Sequence, residues 1–260
     1  MSVTFEHVSK RYEPDTMAVN DISFTAANGE LVVLVGESGC GKTTTLKLVN
    51  RLIEPTSGHI RIDGKDVATV DTVTLRRSTG YVFQSVGLFP HMTIGENIGI
   101  TPTLLGWEAN RIAARVEYLL DLVRLPSAQF INRVPDELSG GQAQRVGFAR
   151  ALAAEPSVLL LDEAFGALDP LTRDSLREDF RSIHNKLALT SILVTHDMTE
   201  ALLLADRIVV IRAGRIEQNG TAHELMSAPA NDYIEHLLFT PRRQAAELDA
   251  LMTDRQRQSP

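Results

Sequence analysis

The sequence predicts an α/β fold built on a mostly parallel sheet, and three observations carry that prediction. The apolar run Leu31-Val32-Val33-Leu34-Val35 leads through a glycine-bearing turn into the helix formers Thr44-Thr45-Leu46-Lys47-Leu48. Two more short apolar runs, Val158-Leu159-Leu160-Leu161 and Ser191-Ile192-Leu193-Val194, have the unbroken character that strands buried on both faces require. Each is followed by a helical stretch, Leu171 to Leu187 and Met198 to Ala205, so strand and helix alternate as parallel sheets demand.

The other elements follow in chain order. Val3-Thr4-Phe5 and Ile22-Ser23-Phe24 read as short strands, with Lys10-Arg11-Tyr12 between them and Asn28-Gly29 turning into the central strand. After the first helix, Ser57 to Gly64 alternates like an exposed strand between two turn signals, and Gly80-Tyr81-Val82-Phe83 reads as a strand ending at Gln84. From Ser85 to Ala153 the pattern is helical. Ile112, Val116, Leu119, Leu120 and Val123 recur at helical spacing and predict an amphipathic helix over Glu108 to Val123, and Ala143 to Ala154 reads as another. Ile208 to Ile211 and Arg215 to Gln218 form a hairpin through Ala213-Gly214. A helical extension is expected from Thr221 to Phe239, then a polar tail ending in Asp254-Arg255-Gln256-Arg257-Gln258-Ser259-Pro260.

Composition narrows the function. With 260 residues, 43% of them hydrophobic and 23% charged, the chain can bury a substantial core. A net charge of −7 argues against general nucleic-acid affinity, which needs clustered Lys and Arg. The single cysteine, Cys40, excludes an internal disulfide and fits a reducing compartment. Met1 to Glu6 shows neither a charged leader nor an apolar core, so no secretory signal is expected. No run of about 18 apolar residues occurs, so a membrane role would need a partner.

The chemistry gathers around Gly36-Glu37-Ser38-Gly39-Cys40-Gly41-Lys42-Thr43, which fits Gly, four residues, Gly-Lys-Ser/Thr. Backbone amides of such a loop wrap a nucleotide's phosphates, and the helix that follows points free amides at the anion. Lys42 would neutralise β- and γ-phosphate charge, and the Thr43 hydroxyl would be a magnesium ligand. At the carboxyl end of Val158 to Leu161 stand Asp162 and Glu163, where a parallel sheet presents groups to a ligand. Asp162 suits magnesium and Glu163 suits polarising the water that attacks the γ-phosphate; the plainer reading is an acidic pair capping the next element. Leu138-Ser139-Gly140-Gly141-Gln142 opens a helix and is either a second anion site or a simple turn capped by Ser139. Tyr12 is either a platform for an adenine ring or a surface tyrosine.

The order of phosphate loop, Gln84, Leu138 to Gln142, Leu159 to Glu163, Ala167-Leu168-Asp169 and Thr195-His196-Asp197 resembles the ATP-binding subunit of ABC transporters over about residues 3 to 228. The resemblance implies a P-loop NTPase fold of the ABC cassette type: a mostly parallel sheet core, an N-terminal antiparallel β subdomain and an inserted helical subdomain. The implied partition is an ATP-binding core at 1–84 and 154–228, a helical subdomain at 85–153 and a C-terminal extension at 229–260. It further implies that two cassettes pair head to tail, so that ATP on Lys42 of one is capped by Ser139 and Gly141 of the other, with Thr44, Gly140 and Gln142 also among the nucleotide-binding residues. By the same transfer Tyr12 stacks on adenine and Gln84 senses Mg2+ and the attacking water. Asp169 couples the two sites, and His196 contacts the γ-phosphate. The family commonly has proline after the acidic pair. Here it is Ala164, a change expected to be tolerated. Inside the loop, amides and Lys42 are expected to lower the Cys40 thiol pKa, so that alkylation blocks turnover and ATP protects.

The segment Gln84 to Ile94 lies where the family's cassettes grip transmembrane permease subunits. Its wording, with Asn50 to Glu54 and Phe165 to Pro170, is similar to the ATPases of bacterial importers for osmoprotectants such as glycine betaine and choline. This implies a peripheral protein on the cytoplasmic side of the membrane, a second cassette, permease partners and, indirectly, a solute-binding protein. Importers for methionine, polar amino acids or small anions share the same motifs. Soluble ABC ATPases acting on DNA or ribosomes usually carry two cassettes or a long coiled coil, and neither pattern is visible. Some family members append a paired regulatory module, and the stretch past Phe239 is expected to be too short for one.

Overall fold

The computed structural model describes residues 1–166, 168–241 and 243. Ala167 and the polar tail expected at its end lie outside the described residues. Two sheets form the scaffold. The first is antiparallel, in the order β2-β1-β4-β5, from β1 (Val3–Tyr12), β2 (Thr16–Ala26), β4 (Ser57–Ile62) and β5 (Lys65–Asp66). The second runs β10-β9-β3-β8-β7-β6, from β3 (Leu31–Val35), β6 (Thr79–Val82), β7 (Val158–Asp162), β8 (Thr190–Thr195), β9 (Arg207–Arg212) and β10 (Arg215–Gly220). All its pairings are parallel except the hairpin of β9 with β10.

The parallel strands read as unbroken apolar runs because both faces are covered. Leu31, Val33 and Val35 face a core shared with the helices of the insert, and Val32 and Leu34 face a second core shared with the antiparallel sheet. All five side chains are at most 1% exposed, and burying each contributes about 1.5–3 kcal/mol.

Between β3 and β6 lie α1 (Lys42–Val49) and α2 (Thr72–Ser78). The stretch between β6 and β7 is helical: α3 (Ile94–Leu104), α4 (Ala109–Leu122), α5 (Ser127–Phe130) and α6 (Gly140–Leu152). α7 (Pro170–Leu187) joins β7 to β8, and α8 (Met198–Leu204) joins β8 to β9. α9 (Ala222–Ser227) and a last helix, α10 at 232–241, follow the hairpin.

Three expectations need correction. β1 and β2 are long strands, so Lys10 to Tyr12 lie within a strand and not in a connecting loop. Their apolar alternation is broken by register shifts, with His7 at φ +51 and Asp21 at φ +55. The buried set of β1 therefore steps from Val3 and Phe5 to Val8, and period-two counting loses the strand. The extension expected as one helix from Thr221 to Phe239 is two. Pro229 pushes Ala228 out of the helical region, to φ −141, and Asn231 starts the second helix by accepting the Ile234 amide at 3.1 Å. Finally, α6 begins at Gly140, because Ser139 and Gln142 form a reciprocal capping box ahead of the apolar positions.

Candidate active site

β3 feeds the loop 36–41 into α1. An added Cβ on Gly36 would lie 2.1 Å from Ile211 O, and one on Gly41, at φ +108, 2.1 Å from Ala18 O. The fold's own carbonyls thus require glycine at both places, independently of any phosphate. α1 has no side-chain cap at Gly41, which leaves its first-turn amides to an anion. Lys42 is buried, and its Nζ donates to Gly36 O and Glu37 O, each at 2.8 Å. The ammonium closes a ring around the loop that an incoming phosphate can open by taking over those donors.

The expected acidic thiol is a correction. Cys40 is 7% exposed, and burial pushes its thiol above the ordinary value even though Lys42 Nζ lies 3.7 Å from Sγ. Neighbouring charge favours the thiolate, but loss of water disfavours it more.

β7 ends at Asp162, whose two oxygens have separate partners. Oδ1 accepts from Thr43 Oγ1 at 2.8 Å and Oδ2 from the Tyr81 hydroxyl at 3.3 Å. Burial, and then the Asp162 charge, push the Tyr81 hydroxyl well above its ordinary pKa. Glu163 turns left-handed at φ +46, and its amide donates to Val194 O at 3.0 Å. Two groups meet its Oε2: Gln84 Nε2 donates at 3.0 Å, and His196 Nδ1 stands 3.5 Å away. The turn carrying His196 is braced on both sides. Thr195 Oγ1 accepts from the Asp197 amide at 3.0 Å, and Asp197 Oδ1 caps α8 through Thr199 N at 2.8 Å.

Ser38, Gly39, Gly41, Lys42, Thr43, Thr44, Gln84, Glu163 and His196 therefore line one cleft of about 490 Å³. Gly36, Glu37 and Cys40 complete the loop. Asp162, which joins the site through Thr43, and three further groups of expected residues lie outside that lining. Tyr12 ends β1 as a half-exposed ring with Lys10 Nζ 5.2 Å from its centroid. Ser139, Gly140, Gly141 and Gln142 open α6, where a Cβ on Gly141 would meet Thr172 of α7 at 2.4 Å. Asp169 caps α7, and the Thr172 hydroxyl and amide hold its carboxyl below the usual range.

Sequence reasoning missed Tyr81 and Arg150. Tyr81 could have been found from strand register, since it pairs with Leu160, two residues before Asp162. Arg150 donates to Val86 O and Gly87 O, both at 2.7 Å, and so holds the chain just beyond Gln84. Burial without a carboxylate partner lowers its pKa.

The cleft's donors fit a hard divalent cation brought in with phosphate. Thr43 and Asp162 offer a hydroxyl and a carboxylate 2.8 Å apart. Among the described residues no group of three or more His, Cys, Asp or Glu could hold a metal without such help.

Sheet, loop and paired carboxylates define a phosphate-loop nucleotide-binding protein with a helical insert. A sequence model described as ABC transporter matches residues 19–166, and the chain belongs to that family. It is 52% identical to the carnitine transport ATP-binding protein OpuCA of Listeria monocytogenes, over 94% of this chain and 62% of that one. It is also 52% identical to the glycine betaine/carnitine/choline transport ATP-binding protein OpuCA of Bacillus subtilis, over 91% of this chain and 62% of that one. The chain thus spans less than two thirds of the length of these relatives. Among solved structures, the dimeric post-hydrolysis ATP-binding cassette MJ0796 bound to ADP and Pi is similar. It is 30% identical with a TM-score of 0.77, over 85% of this chain and 98% of that one.

Proposed function

We propose that this chain is the ATP-hydrolysing subunit of a bacterial importer for an osmoprotectant such as glycine betaine, choline or carnitine. It would work as a pair of cassettes beneath membrane permease subunits supplied by a solute-binding protein. The observation that carries the ATPase reading is the convergence of Gln84 and His196 on Glu163 Oε2, in the cleft that also holds Lys42. The two OpuCA relatives support the solute class.

In this reading the amides of 36–43 and Lys42 bind the β- and γ-phosphates, and Thr43 and Asp162 hold Mg2+, which supplies charge neutralisation when bound. Tyr12 stacks on the adenine. Glu163 accepts a proton from water as the water oxygen bonds to the γ-phosphorus and the bond to the ADP oxygen breaks. Gln84 fixes the Glu163 carboxylate by donating to one oxygen and leaves the other for the water. His196 Nδ1 faces Glu163, so Nε2 is the nitrogen left for a γ-phosphate oxygen. Ser139 to Gln142 of a second cassette close over the nucleotide, with Asp169 at the joint. The division of labour is a core at 1–84 and 154–228, a helical subdomain at 85–153 and an extension at 229–260.

No described helix is long and apolar enough to cross a membrane. In this reading the permease subunits hold the chain at the cytoplasmic face. A largely apolar groove of about 420 Å³ between α3 and α4, with Met92, Ile100, Ile112 and Val116 in its lining, is the surface we assign to it.

The test is to purify tagged Glu163→Gln protein with ATP from detergent-solubilised native membranes and from cytosol. An integral membrane partner, whose solute-binding protein takes betaine, choline or carnitine, is the expected result. Recovery from cytosol alone, with ribosomes or DNA, would overturn the transport reading.

A further inference from the structure

The strand β6 and the residues just after it touch both members of the acidic pair. Tyr81 pairs with Leu160 of β7, and side chains two apart on a strand share a face, so Tyr81, Leu160 and Asp162 point the same way. That face belongs to the core that also contains Leu46 and Leu48 of α1, the helix that carries Thr43. The Tyr81 hydroxyl meets Asp162 Oδ2 at 3.3 Å while Thr43 Oγ1 meets Oδ1 at 2.8 Å. Three residues later Gln84 reaches Glu163.

Packing holds the tyrosine in this pose. Its ring is buried, and the Phe83 ring tilts against it with centroids 4.4 Å apart. Asp162 is buried as well, so a carboxylate oxygen that loses its partner there has little water to turn to. Without the hydroxyl, the carboxyl group could rotate and pull Oδ1 away from Thr43. With it, one oxygen is anchored on the strand side and the other stays on the loop side.

We infer that Tyr81 is a positioning residue that locks the Asp162 carboxylate beside Thr43 and thereby sets the affinity of this pair for the divalent cation bound with ATP. The inference rests on the reading of Thr43 and Asp162 as the cation's protein ligands. Partners that orient a metal-binding carboxylate typically change metal affinity by about 10–100-fold. The 3.3 Å separation is long for a hydroxyl donor, so the lower end, about tenfold, applies here.

Tyr81→Phe deletes one buried hydroxyl and keeps the ring, and Tyr81→Met is a second variant should Phe fail to fold. Mn2+ serves as the probe. Its binding in the presence of ATP is followed by electron paramagnetic resonance, and ATP binding in excess chelator is measured separately by calorimetry. The expected result is a roughly tenfold rise in half-saturating Mn2+ with ATP affinity in chelator unchanged. A Mn2+ titration superimposed on that of the unmodified protein would overturn the inference. So would an equal loss of ATP affinity in chelator, since that marks a general distortion of the cleft. Absence of ATP-linked Mn2+ binding by the unmodified protein would overturn the ligand reading itself, and the inference with it.

Discussion

Glu163 sits at φ +46, a conformation that costs a residue with a side chain about 1 kcal/mol or more, and it is held there by the hydrogen bond its amide donates to Val194 O. The strain turns its carboxylate into the cleft, where Gln84 and His196 meet it. Glu163→Gln should lower ATP turnover by about 10²- to 10⁴-fold while ATP still binds, as single-turnover and binding assays can separate. Normal turnover would remove Glu163 from the mechanism. Lys42→Ala should instead weaken ATP binding by about 10- to 100-fold, since charge-assisted bonds to phosphate are lost. Cys40 shows how residue-level reading fails. The sequence displays its neighbours in the loop but not its burial, and burial decides the sign. Modification of Cys40 by a thiol reagent at neutral pH should be about tenfold slower in the folded protein than in denaturant, measured by absorbance of the released thiol chromophore. Equal rates would show that the thiol is as open, and ionises as readily, in the folded protein as in the unfolded chain.

At the scale of elements, long-range bonds fix how strands and helices meet. Asp206 ties β3 to α7: it accepts from the Leu31 amide at 2.8 Å and from Arg181. Burial would raise its pKa, but Arg181 and the Leu31 amide reverse this and leave it lowered. A carboxyl group with a depressed folded pKa contributes stability that is fully present above its unfolded value near 3.9. That contribution is lost as pH falls through the lower folded value. Asp206→Asn should therefore be less stable than the unmodified protein at pH 7 in urea unfolding, with the difference shrinking below about pH 4. A constant difference down to pH 2 would show that charge is not the cause. Gly41→Ala, which forces a Cβ against Ala18 O, should destabilise by about 2 kcal/mol or more in the same assay. β3, β7 and β8 could be read from the sequence because burial on both faces leaves an apolar run with no exceptions. β1 and β2 could not be read at full length, because their bulges shift the phase of burial mid-strand. The Tyr81–Asp162 bond was invisible for a different reason: it depends on which residue of β6 lies opposite which residue of β7.

Across the whole molecule, the cleft is assembled from four separate stretches: 38–44, Gln84, Glu163 and His196. Sequence order named each of them, but only the sheet order brings them together. In Glu163→Gln protein, ATP and Mg2+ should shift the elution volume from monomer to dimer, and ADP should not. Elution as a monomer under both conditions would count against the paired-cassette reading. That same sheet order bears on how the chain is made. β3 and β6, the two strands that the amino-terminal half gives to this sheet, do not touch; β8 and β7 stand between them, and β3's other neighbour is β9. A ribosome that has not yet extruded Val158 holds two strands with no partner in the parallel sheet, while α3 to α6 can already coil. Nascent chains stalled before that residue should expose β3 to proteases and chaperones, and protection should arrive only once β7 to β9 have emerged to fill the gaps.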